Sequence, residues 1–405
     1  MSNLGHSNHS TNWRRWLRCL CVLGTLFAGK QSLYAQSSEE AVDIDFLFHY
    51  YEQDGNHSAV TGGIGTEELS DIASNIIVNI PLDSVRRFGI HTHVNHYSSA
   101  STDNIDSYIS SASSVDNHFT LNLEYEKTFS DGHQSLGGNV GGGLESDYIS
   151  TSFGASWWRE NAESSRSLTV TAKAYLDTWI VIFPEELRAP GLVSVPTNKR
   201  RSFHVSASWA QVVNPRLQTA LTLETVFQQG LLSTPFHRVY FGDLVELPTI
   251  ERLPMMRWKI PLGIRAHYFA NDWLVLRGSY RMYWDSFSIF GQTLSADIPI
   301  KFSPFFSVYP FYRFHFQTAA RYFAPHGEHL ETAEFYSSDY DLSGFVSHKF
   351  GLGLNYAPLN GIFSFRTSPQ GATNTLRQLN MRGGYYLRSD GLRAWTVSLG
   401  FGIRR

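Results

Sequence analysis

Apolar and polar residues alternate along this chain in stretches of roughly ten, each closed by a turn, the spacing of strands that cross a bilayer at a tilt. Val42, Ile44, Phe46, Phe48 and Tyr50 alternate with Asp43, Asp45, Leu47, His49 and Tyr51. Far downstream, Trp395, Val397, Leu399, Phe401 and Ile403 alternate with smaller or polar partners. Successive side chains of a strand point to opposite faces, so each stretch has one apolar face and one mixed face. With no core-forming helix between them, such strands are most economically closed into an all-β transmembrane antiparallel barrel.

The pattern predicts sixteen strands, centred near Phe46, Ile76, Val94, Leu121, Val140, Phe153, Ala172, Ala207, Leu221, Ile264, Val275, Ala296, Tyr309, Leu352, Met381 and Leu399. Fourteen or eighteen would also fit the alternation. Short connections recur at every second junction: Asp83–Arg87, Ser130–Gln134, Asn161–Ser167, Asn214–Pro215, Ala270–Asp272, Phe302–Pro304 and Pro358–Gly361. Most are rich in turn-forming residues. Longer loops are expected at Glu52–Ser70, Ser98–Asp116, Thr178–Arg200, Gly230–Arg257 and Thr318–Ser347. Short periplasmic turns opposite long extracellular loops are the habit of outer-membrane barrels.

Aromatic residues gather where strands end. Tyr50–Tyr51, Tyr97, Trp179, Trp258, Tyr283–Trp284 and Tyr385–Tyr386 mark one rim; Phe88, Trp157–Trp158, Trp209, Trp273 and Phe305–Phe306 mark the other. Rings with an apolar body and a polar tip favour a membrane–water interface. Pro261, Pro299 and Pro310 fall inside strands without a ladder donor, which suggests bulges or shifted boundaries. The glycines of 137–143 weaken the fifth strand on propensity.

Composition sharpens this picture. Charged residues make up 17% and aromatic residues 14% of the 405 positions, against roughly 25% charged in soluble domains. Residues 1–35 read as a cleaved secretory signal, leaving 36–405 as the barrel: Arg14, Arg15 and Arg18 form a basic region, Leu20 to Ala28 an apolar one, and Ala35 a cleavage point. Both cysteines, Cys19 and Cys21, lie in that segment, so the mature chain holds no disulfide, thiolate metal site or cysteine nucleophile. Cleavage also removes four basic residues, giving 33 − 4 = 29 basic against 36 acidic, a balance of about −7. Nucleic acid is not an expected partner.

Four stretches carry a resemblance: DIDFLFHYYEQDGNHSAVTGGIGTEELSD (43–71), SSASTDNID (98–106), the 309–328 stretch running into QTAARYFAPHGEH, and FYSSDYDLSGFVSHKFGLG (335–353). They resemble the bacterial family catalogued as domain of unknown function 3570, from about Asp43 to the C-terminus. The resemblance implies a secreted outer-membrane barrel and brings no activity, cofactor or catalytic residue with it. The chain ends Phe401-Gly-Ile-Arg-Arg rather than on an aromatic residue. Recognition by barrel-assembly machinery would then use an internal signal.

Candidate chemistry is sparse. His91, His93 and Asn95 share one face of the third strand, with neighbouring side chains starting roughly 6–7 Å apart. Asp43, Asp45 and His49 share the equivalent face of the first. All six are expected to line the lumen, and His91 with His93 is at most part of a metal site. His96 and Ser98 fall on the opposite face in the histidine–serine spacing of outer-membrane phospholipases, where an asparagine orients the ring. Here the nearest downstream candidate, Asn104, has a different spacing.

The acidic sets Glu67, Glu68 and Asp71; Asp103 and Asp106; and Asp339 and Asp341 could attract calcium but match no complete calcium loop. Gly62-Gly-Ile-Gly65 precedes no helix, so it does not read as a phosphate loop. His326-Gly-Glu-His329 lacks the helix that metalloprotease spacing needs. Arg265, Arg277, Arg281, Arg313, Lys349, Arg382 and Arg388, set against Asp43, Asp45, Glu124 and Glu126, would either impose a transverse field or neutralise in pairs.

The expectation is therefore an outer-membrane porin-like channel in a Gram-negative envelope, passing small hydrophilic solutes or ions and using no cofactor. A receptor or anchor for envelope partner proteins, acting through loops near Val60, Pro190, Leu244 and Glu334, is the alternative. A lipid hydrolase using His96 and Ser98 is a third reading.

Overall fold

A computed structural model describes residues 41–98, 115–242, 247–367 and 371–405. The signal-like segment, Asp103, Asn104, Asp106 and Leu244 lie outside the described residues. The strands run β1 Asp43–Asp54, β2 Leu69–Pro81, β3 Arg86–Ser98, β4 Val115–Thr128, β5 Gln134–Leu144, β6 Tyr148–Glu160, β7 Arg166–Trp179 and β8 Lys199–Asn214. They continue with β9 Leu217–Gly230, β10 Met256–Asn271, β11 Leu274–Asp285, β12 in two segments (Phe290–Asp297 and Ile300–Ser303) and β13 Phe306–Gln317. The last three are β14, again two segments (Phe345–Tyr356 and Phe363–Arg366), β15 Thr373–Arg388 and β16 Arg393–Arg404.

Each strand pairs antiparallel with the next, and β1 pairs with β16 from Asp43↔Arg404 to Asp54↔Arg393, so the sheet closes. Every predicted centre lies inside its strand. Closure leaves no unpaired edge along the sheet. Helix is limited, among the described residues, to three-residue turns at Ala59–Thr61, Glu185–Leu187 and Tyr340–Leu342. None is long and apolar enough to cross a membrane.

Parity sorts the two faces. The outer face carries exposed Phe153, Val205, Leu223, Ile264, Leu294, Leu352 and Val397. The inner face carries the polar alternates. Aromatic residues at the loop end divide by the same parity: Trp258, Trp284 and Trp395 stand exposed outside, and the Tyr385 ring packs against Trp395 at 4.4 Å, tilted by 43°. Tyr51, Tyr97, Trp179, Tyr283 and Tyr386 instead turn inward, contrary to the expected belt. Tyr51 and Tyr386 border an inner cavity. Tyr148 and Trp179 pack at 4.9 Å with the Arg200 guanidinium 5.5 Å from each ring.

The prolines act differently from one another. Pro299 separates the two segments of β12, while Pro261 and Pro310 stay within paired strands, opposite Tyr283 and Leu352. The register shifts lie elsewhere, between Val212/Asn214, Phe269/Asn271, Lys301/Ser303 and Leu376/Gln378. All four sit at the turn end, where a bulge bends the strand into its turn. Pro358–Gly361 does not end its strand; the chain resumes pairing at Phe363. At the loop end, the connections after β5, β11 and β15 are short.

Two glycine pairs on β14 and β15 shape the inner wall. A Cβ at Gly353 would meet the Tyr309 ring at 2.0 Å, and one at Gly351 would meet the Gly383 carbonyl at 2.1 Å and Phe311 at 2.6 Å. Both aromatic rings thus lie flat along the wall where no side chain opposes them. The Arg382 guanidinium sits 3.7 Å above Phe311, a stacked cation–π arrangement.

Candidate functional site

At the loop end, four connections interlock into a cap. Arg238 donates to the Val60 carbonyl at 2.7 Å and grips both carboxylate oxygens of Glu186. His326 Nδ1 lies 3.2 Å from the Gly62 carbonyl, and His329 Nε2 lies 3.0 Å from the Ser337 carbonyl. The rings of His57 and Tyr340 stack at 3.8 Å. Val239 and Ser337 are fully buried. The His-Gly-Glu-His stretch is therefore a pair of struts.

Gly62, Gly63 and Gly65 all adopt positive φ (79°, 88° and 81°), where glycine is tolerated without strain. A Cβ at Gly63 would come within 2.8 Å of the Ser338 carbonyl. This glycine stretch is a knot in the cap and cradles no phosphate. Three of the four stretches that carry the family resemblance supply cap residues.

Beneath the cap lies a cavity of about 620 Å³, bounded by Val60, His237 and Asp339 from the loops and by Tyr51, Gln53, Arg313, Lys349, Tyr386 and Arg388 from the wall. Burial pushes the Glu67 carboxyl at its edge up to about 7, against the opposing influence of Arg388. Gln53 Nε2 donates to Glu67 Oε1 at 3.1 Å. Arg388 Nη1 donates to Asp341 Oδ1 at 2.6 Å and its Nε to Asp390 at 2.7 Å.

The inner wall is unevenly charged. All seven basic residues singled out above project inward by parity. Arg281 reaches Glu224 and Arg382 reaches Asp297, each at 3.4 Å. Arg265, Arg277, Arg313 and Lys349 form no ion pair among the described residues. Across the lumen the acids are mostly matched: Asp43 meets Arg404 at 3.1 Å and Arg377 at 3.3 Å, and Glu126 meets Arg87. The wall formed by β10 to β14 thus keeps a positive surplus.

Asp43, Asp45, His49, His91, His93 and Asn95 all occupy the inner face, but the structure does not gather them into one site. His49 Nδ1 lies 2.8 Å from Ser398 Oγ and His93 Nδ1 2.9 Å from Asn75 Oδ1. His91 faces Glu124 at 4.0 Å. His91 and His93 therefore take separate partners rather than sharing an ion. On the outer face, His96 Nδ1 lies 2.8 Å from the side-chain oxygen of Asn117 on β4. Cross-strand pairing, which sequence spacing does not reveal, supplies this asparagine. Ser98 Oγ, however, accepts the Ser70 N–H at 2.8 Å, and among the described residues no hydrogen bond links it to His96. A nucleophile–base pair is not assembled.

A second cluster escaped sequence reasoning except for Asp339, which the sequence grouped only with Asp341. His237 Nδ1 lies 3.9 Å from both Glu251 Oε1 and Asp339 Oδ2 in the cap. A short antiparallel ladder, Arg238–Val239 with Thr249–Ile250, brings His237 and Glu251 opposite each other, the Glu251 N–H donating to the His237 carbonyl at 2.9 Å. Asp339 arrives from a separate loop, and no sequence motif joins the three.

Known structures give a loose likeness. A bacterial polysaccharide outer membrane secretin aligns at TM-score 0.44 and 8% identity over 91% of this chain and 99% of that one. OccAB1 of Acinetobacter baumannii aligns at 0.43 and 7%, over 93% and 99%. The siderophore receptor PirA of Pseudomonas aeruginosa aligns at 0.41 and 10%, over 91% and 81%. Nothing about cargo follows at these values. No curated protein matches the sequence. The family described as "Protein of unknown function (DUF3570)" matches residues 25–367, and the chain belongs to it.

Proposed function

We propose that this barrel resides in the outer membrane of a Gram-negative bacterium and passes small hydrophilic solutes or ions passively through its lumen. An outer face of exposed apolar side chains with aromatic residues at the loop end fits a lipid surround. Such a band in a water-soluble monomer would be far larger than the few hundred Å² that monomers normally expose. The observation that carries the reading is the unpaired positive run of Arg265, Arg277, Arg313 and Lys349 along one side of the lumen. Fixed charge on a low-dielectric wall raises the local concentration of the opposite sign. Anions are accordingly the favoured solutes, and the cap supplies the constriction that screens them.

The test is planar-bilayer conductance of the refolded chain in a salt gradient. Discrete steps with a reversal potential on the anion side are expected. Charge reversal at Arg313 and Lys349 together should move the anion-to-cation permeability ratio toward cations by roughly two- to fivefold. A folded barrel that gives no steps overturns the channel reading. The interlocked cap then favours the second reading, a rim surface that holds envelope partner proteins.

A further inference from the structure

The His237 cluster carries a chemistry the lumen charges do not need. Three donors, His237 Nδ1, Glu251 Oε1 and Asp339 Oδ2, lie within 4.8 Å of one another. His237 Nδ1 is shut off from solvent and has no hydrogen-bond partner among the described residues. A polar ring nitrogen so placed costs free energy unless something fills its lone pair or proton. The two carboxylates are held from behind. Glu251 Oε1 accepts from the Ser337 hydroxyl and its Oε2 from the Thr234 N–H at 2.7 Å. Asp339 Oδ1 accepts the Asp341 N–H at 2.9 Å, leaving Oδ2 turned toward the histidine. Outer hydrogen bonds that fix carboxylate orientation are the usual companions of metal ligands.

We infer that His237, Glu251 and Asp339 bind a first-row divalent transition metal that fastens the loop 231–255 to the loop 318–344 over the cavity. One imidazole and two carboxylates suit borderline cations such as Zn²⁺. Ligand bonds of about 2.0–2.2 Å place tetrahedral donors about 3.3–3.6 Å apart. The two histidine–carboxylate separations of 3.9 Å and the carboxylate–carboxylate separation, within 4.8 Å, must therefore close by roughly half to one and a half ångström through side-chain rotation. His237 and Asp339 also border the cavity. The site is independent of whether the lumen conducts.

The experiment uses the refolded full chain in detergent, stripped with a chelator and titrated with Co²⁺ alone, then with Zn²⁺. One Co²⁺ per chain, visible d–d absorption and displacement by Zn²⁺ are expected. Zn²⁺ should also slow proteolysis of the 231–255 loop. His237→Ala should weaken Co²⁺ affinity by at least about tenfold, and Glu67→Gln, which alters the same cavity outside the cluster, should leave it unchanged. The shift between unheated and boiled migration on a gel reports folding of each variant; if His237→Ala does not fold, Asp339→Asn replaces it. A folded chain that binds no Co²⁺ or Zn²⁺, or binds them equally without His237 or Asp339, overturns the assignment and leaves a histidine–carboxylate ion pair.

Discussion

Where the chain leaves the strands, single residues are constrained by backbone conformation as well as by space. Gly63 combines a φ of +88° with a Cβ position 2.8 Å from a backbone carbonyl. Gly63→Ala should therefore loosen the cap by about 1–3 kcal/mol, seen as faster proteolysis of the 55–68 loop with the barrel intact. Glu145, in the connection after β5, is pushed up to about 7 by burial and by the neighbouring Asp147 and Asp116 carboxylates, against Arg200. Its folded value is above the ordinary 4.5, so the folded state binds the extra proton between those limits. Its contribution is fully present below pH 4.5 and lost as pH rises through 7. At about 1.4 kcal/mol per unit the loss is at most about 3.5 kcal/mol. Denaturant midpoints of the refolded barrel at pH 5 and pH 8 should differ accordingly, and Glu145→Gln should shrink the difference. Ser98, occupied by Ser70, should show no reaction with a fluorophosphonate probe; labelling lost in Ser98→Ala would restore the hydrolase reading.

Strands were legible because their signal is local. Alternation over ten residues locates Phe46, Ala207 or Leu399 without knowledge of a partner. It divides adjacent aromatic residues such as Tyr50 and Tyr51 between the two faces, but it does not reveal that Tyr51 borders an inner cavity rather than an interface. The packing of Trp179 beside Arg200, 5.5 Å from its ring, comes about only after β7 pairs with β8. Local signal also missed that glycine on β14 serves a neighbour. Gly351→Ala forces a Cβ against the Gly383 carbonyl at 2.1 Å, so β14 and β15 must part, at about 1–3 kcal/mol. Gly383→Ala meets nothing within 4 Å and should be near neutral. Comparing the two denaturant midpoints separates close packing from glycine content.

At the scale of the whole molecule, the cap was invisible to sequence. Its struts join residues 178 and 264 positions apart, as in Arg238 to Val60 and His326 to Gly62, and irregular loops carry no periodicity to betray such meetings. The seven inward basic residues were legible by parity, but their neutralisation was not, because Arg281 and Arg382 find acids on their own side of the lumen rather than across it. The result is a barrel with one charged wall and a lid to which three of the stretches that carry the family resemblance contribute.

The seam between β1 and β16 has one more consequence. Asp43 and Arg404 are clasped although 361 positions separate them in the chain. Contacts of such range carry a loop-closure cost that must be met before they repay it, so ring formation is expected to be the slow event in folding. Until then two strand edges stand bare, each a template for a stray chain. Removing residues 393–405 should accordingly give aggregated protein with no compact species on an unheated gel, whereas an equal deletion within the 180–198 loop should still fold.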